Sequence, residues 1–89
     1  MPETTVERVI RVIVASQHYD AAKAAAITAS TTFEELGIDS LDGIQIVFAL
    51  ENEFDVSIPD DAAKSIRGVS DIAEGMEKLM AEKAASGQA

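Results

Sequence analysis

The sequence predicts an all-α chain: a small four-helix bundle with a short third helix and a long connector between helices one and two. Three observations carry that expectation. Apolar residues recur at helical spacing in three stretches, hydroxyl or carboxylate caps stand where those stretches begin, and no run alternates as a half-buried strand would. No internal repeat emerges.

The first helix is expected from about residue 4 to 17. Val6, Val9, Ile10, Ile13 and Val14, with Tyr19 beyond them, make one stripe, and Glu7, Arg8 and Arg11 occupy other faces. Thr4 or Thr5 caps it, and Glu7 stands three residues after Thr4 as a capping box requires. Met1 to Thr4 are expected to be loose. Asp20 to Ala29 stays open between a short helix ending near Ile27 and a long loop. Its alanines favour helix, but Ile27 is its one large apolar residue. Thr28 to Thr32 is rich in short hydroxyls that compete for backbone hydrogen bonds, which suits a connector. Phe33 and Leu36 read as anchors of a single turn, closed at Gly37, where positive φ costs little.

The second long helix is expected from about Ser40 to Phe54. Asp39 or Ser40 can cap it, and Asp42 places a carboxylate in its first turn. Its apolar set is Leu41, Ile44, Val47, Phe48, Leu50 and Phe54, widened by Ile46 and Ala49. That face is broader than one packing contact requires. Val56 to Pro59 reads as extended, and Pro59 suits the start of a short helix over Asp60 to Ser65. Gly68 interrupts. Ser70, reinforced by Asp71, is expected to cap the last helix, whose stripe is Ile72, Met76, Leu79 and Met80. Gly75 inside it suggests a close approach by another helix. Residues 81–89 are expected to fray.

At 89 residues the chain is read as one domain spanning 1–89, loose at its termini, with room for one core and a groove. There is no cysteine, so disulfides and thiol nucleophiles are excluded. Seven Lys plus Arg against sixteen Asp plus Glu give a formal charge of −9. Such a chain repels nucleic-acid phosphates and anionic lipid and is drawn to basic partner surfaces. No basic leader and no apolar run of about 20 residues is present, so neither secretion nor integral membrane contact is expected, and cytoplasm is the default. The charge also argues for a monomer.

Catalytic chemistry is thin. His18 is the only histidine, and nothing in the spacing pairs it with a serine and an acid, so it reads as a helix cap or a solvent-facing residue. Asp60-Asp61 is unlike a calcium loop, and no metal site is expected. What remains is Ser40, with two readings. It can be a helix cap and nothing more. Alternatively, Gly37 allows a turn that exposes its hydroxyl, the helix N-terminus favours a phosphate ester there, and the wide apolar face beyond can shelter an alkyl chain.

Glu35-Leu36-Gly37-Ile38-Asp39-Ser40-Leu41-Asp42, followed by Ile44 through Glu53-Phe54 and by Ile58-Pro59, resembles the acyl carrier proteins. The resemblance runs from about Ile27 through the final helix. It implies a four-helix bundle that is not itself an enzyme and whose Ser40 receives 4′-phosphopantetheine from coenzyme A through a phosphopantetheinyl transferase. The thiol of that arm would carry acyl groups as thioesters to enzymes of fatty-acid or lipid biosynthesis. Asp39 would precede the attachment site and Leu41 would be the core anchor behind it. Asp42, Glu51 and Glu53, with Ile44, Gln45 and Phe48, would face acyl-loading and acyl-transfer enzymes bearing basic patches. Val47, Leu50 and Phe54 would line the acyl cavity or the core, joined by Ile58, Ile66, Ile72 and Leu79. Gln45 and Asn52 are neutral where the family's fatty-acid carriers are acidic, which points to a specialised rather than a housekeeping member. Two rivals remain: a peptidyl carrier with the same attachment chemistry, and an unmodified helical interaction module.

Overall fold

A computed structural model describes residues 3–86. Its helices are α1 (Thr5–Gln17), α2 (Ala21–Ala26), α3 (Phe33–Leu36), α4 (Ser40–Phe54), α5 (Asp60–Ser65) and α6 (Val69–Ser86). The expected bundle is α1, α4, α5 and α6. The connector between the first two contains two short helices, so the alanine-rich stretch forms α2, with Asp20 as its cap. Among the described residues the only β pairing is an isolated antiparallel bridge between Thr32 and Gly68.

The core forms where α1 lies against both α4 and α6. Val9 and Ile13 of α1 meet Ile46 and Leu50 of α4 and Val69, Ile72 and Met76 of α6 in one buried cluster. Thr4 closes the start of α1 with the reciprocal capping box: Glu7 N–H donates to Thr4 Oγ1 at 3.1 Å and Thr4 N–H to Glu7 Oε1 at 2.8 Å. His18 ends the helix in the left-handed region at φ 57°, its backbone N–H on Val14 O.

Four expectations are corrected. Glu3 and Thr4 are not loose, because Arg11 pairs with Glu3 at 2.9 Å beside the capping box; Met1 and Pro2 lie outside the described residues. The last helix begins at Val69 rather than after Ser70, and the Asp71 carboxylate instead accepts from Arg67 N–H at 3.0 Å. Residues 81–86 stay helical, and Lys83 holds Asp55 at 2.6 Å; residues 87–89 lie outside the description. Gly75 marks no helix contact, since a Cβ there would meet no heavy atom within 4 Å.

The close approach falls at Gly68 instead. Phe33 N–H donates to Arg67 O at 2.8 Å and Val69 N–H to Thr31 O at 3.0 Å, so two connectors lie edge to edge. A Cβ on Gly68 would sit 2.6 Å from Thr31 O. Gly68→Ala should therefore destabilise the fold by about 1–3 kcal/mol through forced backbone displacement. Gly75→Ala should stabilise it by up to ~1 kcal/mol, as an ordinary helix-interior replacement. Urea unfolding of the two variants checks both signs.

Across α1 and α4, Glu53 accepts from Arg11 at 2.7 Å and from Arg8 at 3.3 Å, while the Arg8 guanidinium stands 4.2 Å from the Phe54 ring centre. The Arg11 hydrogen bond, more than Arg8, holds the Glu53 carboxyl below its ordinary value of 4.5. A depressed folded-state value means that this stabilisation is complete above about pH 4.5 and is lost as pH falls through the folded value. Glu53→Gln should cost about 1 kcal/mol at neutral pH. The gap between variant and parent should close on acidification, as followed by urea titrations from neutral to acid pH.

Candidate functional site

The turn that delivers Ser40 is built from local hydrogen bonds. Thr32 caps α3 in a second capping box with Glu35, and Gly37 ends it in the left-handed region at φ 71°. Ile38 N–H then donates to Phe33 O at 3.0 Å, which folds the chain back before α4. Asp39 is the cap of α4: its Oδ1 accepts from Asp42 N–H at 2.9 Å, and its backbone O accepts from Gly43 N–H at 2.9 Å. The choice between Asp39 and Ser40 as cap is thereby decided. Ser40 is the first helical residue, exposed, and among the described residues nothing hydrogen-bonds its hydroxyl.

A groove of about 670 Å³ opens beside that hydroxyl. Its apolar wall includes Ile44, Val47 and Phe48 from α4 and Ala63 and Ile66 from the α5 side. Phe33 and Ile38 add to the wall, Asp39 and Asp60 bring carboxylates, and Lys64 is the one cation among the described lining residues. Burial, and after it the charge of Asp42, pushes the Tyr19 phenol up, and the Lys23 ammonium stands 4.3 Å from the Tyr19 ring centre.

The wide apolar face of α4 splits into two rows. Ile46, Leu50 and Phe54, spaced by four, form the buried row. Leu41, Ile44 and Phe48 form an outer row, 66%, 50% and 64% exposed. Leu41 is therefore not the core anchor. At about 100° per residue, nine residues put it half a turn away from Leu50. Anchoring falls instead to Phe33, Leu36 and Ile38, which pack partly buried against the core.

The other expected site residues divide in the same way. Ile44, Gln45 and Phe48 are exposed on α4, with Asp42 half-buried in its first turn. Glu51 and Glu53 do not extend that acidic face, because both carboxylates are engaged inside the chain. Glu51 Oε2 accepts from Ile58 N–H at 2.7 Å, and Glu53 takes the two arginines of α1. Val47 and Ile66 line the groove beside Ser40, whereas Leu50 and Phe54 are core. Ile58, Ile72 and Leu79 line a separate cleft of about 410 Å³ between α5 and α6, which also takes in Ile66. Sequence reasoning missed Ala63 and Lys64 in the Ser40 groove; the Ala63–Ile66 spacing, one turn of a short helix, was the signal available. Among the described residues no three His, Asp or Glu converge to hold a metal, and no helix is long and apolar enough to cross a membrane.

The family described as phosphopantetheine attachment site matches residues 8–75. An acyl carrier protein of Caulobacter vibrioides is 39% identical over 79 residues, covering 89% of this chain and 94% of that one. Acyl carrier protein 1, chloroplastic, of Hordeum vulgare is 46% identical over 59 residues, and the match spans only 40% of that longer protein. Among solved structures, the acetyl actinorhodin acyl carrier protein of Streptomyces coelicolor superposes with a TM-score of 0.71 at 27% identity, over 86% of this chain and 91% of that one. The site suits such a group: a hydroxyl with no competing partner, a helix N-terminus that favours an anionic ester, and an apolar groove alongside. The chain belongs to the acyl carrier protein family, with an acyl-carrying role and a covalently attached 4′-phosphopantetheine as its prosthetic group.

Proposed function

We propose that Ser40 Oγ is the attachment atom, and that the chain presents acyl groups as thioesters to enzymes of fatty-acid or lipid biosynthesis. One observation carries this reading: Asp39 performs the capping, which leaves the Ser40 hydroxyl exposed and unengaged at the edge of an apolar groove. The group supplies, when bound, a thiol on a flexible arm, which a cysteine-free chain lacks.

The chain's own residues do the rest. Gly37 and Asp39 hold the turn, so a phosphopantetheinyl transferase meets a fixed hydroxyl at the first turn of α4. Backbone N–H groups there favour the phosphate, while the carboxylates of Asp39 and Asp42 oppose it and Lys64 offers a counter-charge from across the groove. Ile44, Val47 and Ile66 keep water from an alkyl chain, at about 0.8 kcal/mol for each buried CH₂. The exposed row Leu41, Ile44 and Phe48, flanked by Gln45 and Asp42, is the docking face for partner enzymes. Net charge of −9 steers basic patches toward the chain without making the contact tight. In this reading the chain catalyses nothing itself, works as a monomeric single domain, and acts in the cytoplasm.

Ser40→Ala should melt like the parent yet gain no mass with coenzyme A and an active transferase, whereas the parent gains one 4′-phosphopantetheine. Modification of the variant would place the attachment elsewhere. Leu41→Ala and Phe48→Ala should raise the transferase KM several-fold while changing stability by no more than about 0.5 kcal/mol, as exposed positions do. Leu50→Ala, in the buried row, should cost about 2–5 kcal/mol. Loading kinetics and urea unfolding on the same three variants separate the two rows.

A further inference from the structure

We propose that Lys64 is the residue of this chain that holds the phosphate of the arm: its ammonium pairs with the phosphodiester formed at Ser40 and draws the root of the arm to the α5 wall of the groove. This rests on Ser40 bearing the arm.

A phosphodiester is an anion, and at Ser40 it enters an acidic neighbourhood. Asp39 precedes Ser40, Asp42 follows two residues later, and Asp60 is part of the groove lining. The positive end of α4 is already partly occupied. Asp39 Oδ1 accepts from the Asp42 amide, so a carboxylate of the chain itself takes one of the donors that an anion would use. A full counter-charge has to come from a side chain, and among the described lining residues Lys64 alone supplies one.

Lys64 is also available. Four other cations are engaged within the chain: Arg8 and Arg11 on Glu53, Lys83 on Asp55, and Lys23 over the Tyr19 ring. The Lys64 ammonium has no hydrogen bond, ion pair or ring contact among the described residues. This holds although Asp60 stands four residues before it on α5, at a spacing where a carboxylate and an ammonium can meet. The side chains of Arg67 and Lys78 are likewise unengaged among the described residues, but neither lines this groove. Lys64 is exposed, so its pair with a phosphate is screened by salt and weak enough to break. A basic patch on a docking enzyme can therefore take the phosphate over and free the arm.

The test compares apo protein with protein loaded from coenzyme A by an active transferase, with loading verified by intact mass. NMR spectra are recorded at low salt and at about 1 M NaCl, where screening acts within a few ångströms. At low salt, loading should move the ε-methylene signals of Lys64 and leave the side-chain signals of Arg67 and Lys78 in place. High salt should shrink the Lys64 displacement by at least half. The phosphorus signal of the loaded protein should itself shift with salt. Lys64→Gln should remove most of that salt dependence, Lys64→Arg should restore it, and Arg67→Gln should leave it as in the parent. If the Lys64 signals stay unmoved while the mass shows the arm attached, the inference is overturned and Ser40 stands. An equal loss in Arg67→Gln and Lys64→Gln overturns it too, because net charge then accounts for the effect. A protein that gains no mass removes the Ser40 reading and this one with it. Should Lys64→Gln fail to fold, the comparison of apo and loaded forms of the unsubstituted protein decides alone.

Discussion

Burial of Ile46, Leu50 and Phe54 against α1 and α6 fixes the rotation of α4 about its own axis, and the rest of the molecule depends on that setting. An α-helix is rigid at the scale of a few turns, so placing one row fixes every other row. Leu41, Ile44 and Phe48 then face outward although they are as apolar as the buried residues. Val47 falls between the two rows and lines the groove. Ser40, at the head of the same helix, is delivered to the groove's edge. The wide apolar face is thus one helix serving a core and two outer surfaces at once.

Polar ties hold the connectors where apolar burial is scarce. Glu51 receives Ile58 N–H, Thr31 O receives Val69 N–H, and Lys83 holds Asp55, which sits in the left-handed region at φ 54°. These ties consume acids that composition alone would assign to the surface. Asp55, Glu53 and Glu3 are all held below the usual carboxylate range by basic partners in the chain, chiefly through hydrogen bonds from Lys83, Arg11 and Arg11 respectively. Near Ser40, at the other end of α4, the exposed residues of that helix are chiefly the apolar Leu41, Ile44 and Phe48.

Helix positions were legible in the sequence because they rest on local rules: periodicity, the Thr4–Glu7 box, and Pro59 before α5. Ser40 was legible for the same reason, as a hydroxyl after a glycine turn. What escaped depends on partners distant in sequence. Leu41 and Leu50 look equivalent until α1 and α6 choose a side. Glu53 reads as a surface acid until Arg8, 45 residues earlier, comes to meet it. Gly68 and Gly75 exchanged roles: the first is demanded by a backbone 37 residues away in sequence, at Thr31, and the second by no neighbour at all. Acyl carrier membership was carried by the Leu36-to-Asp42 motif with Ile58-Pro59 behind it, a pattern that composition could not supply.

The segment between Phe54 and Val69 is fastened at two points. Glu51 pins Ile58 just ahead of α5, and Thr31 with Phe33 clasps Arg67 to Val69 just behind it. Between these fastenings α5 meets the core through the partly buried Ala63 and has no side-chain cap, so the wall it gives the Ser40 groove is positioned by its two connectors more than by burial of its own.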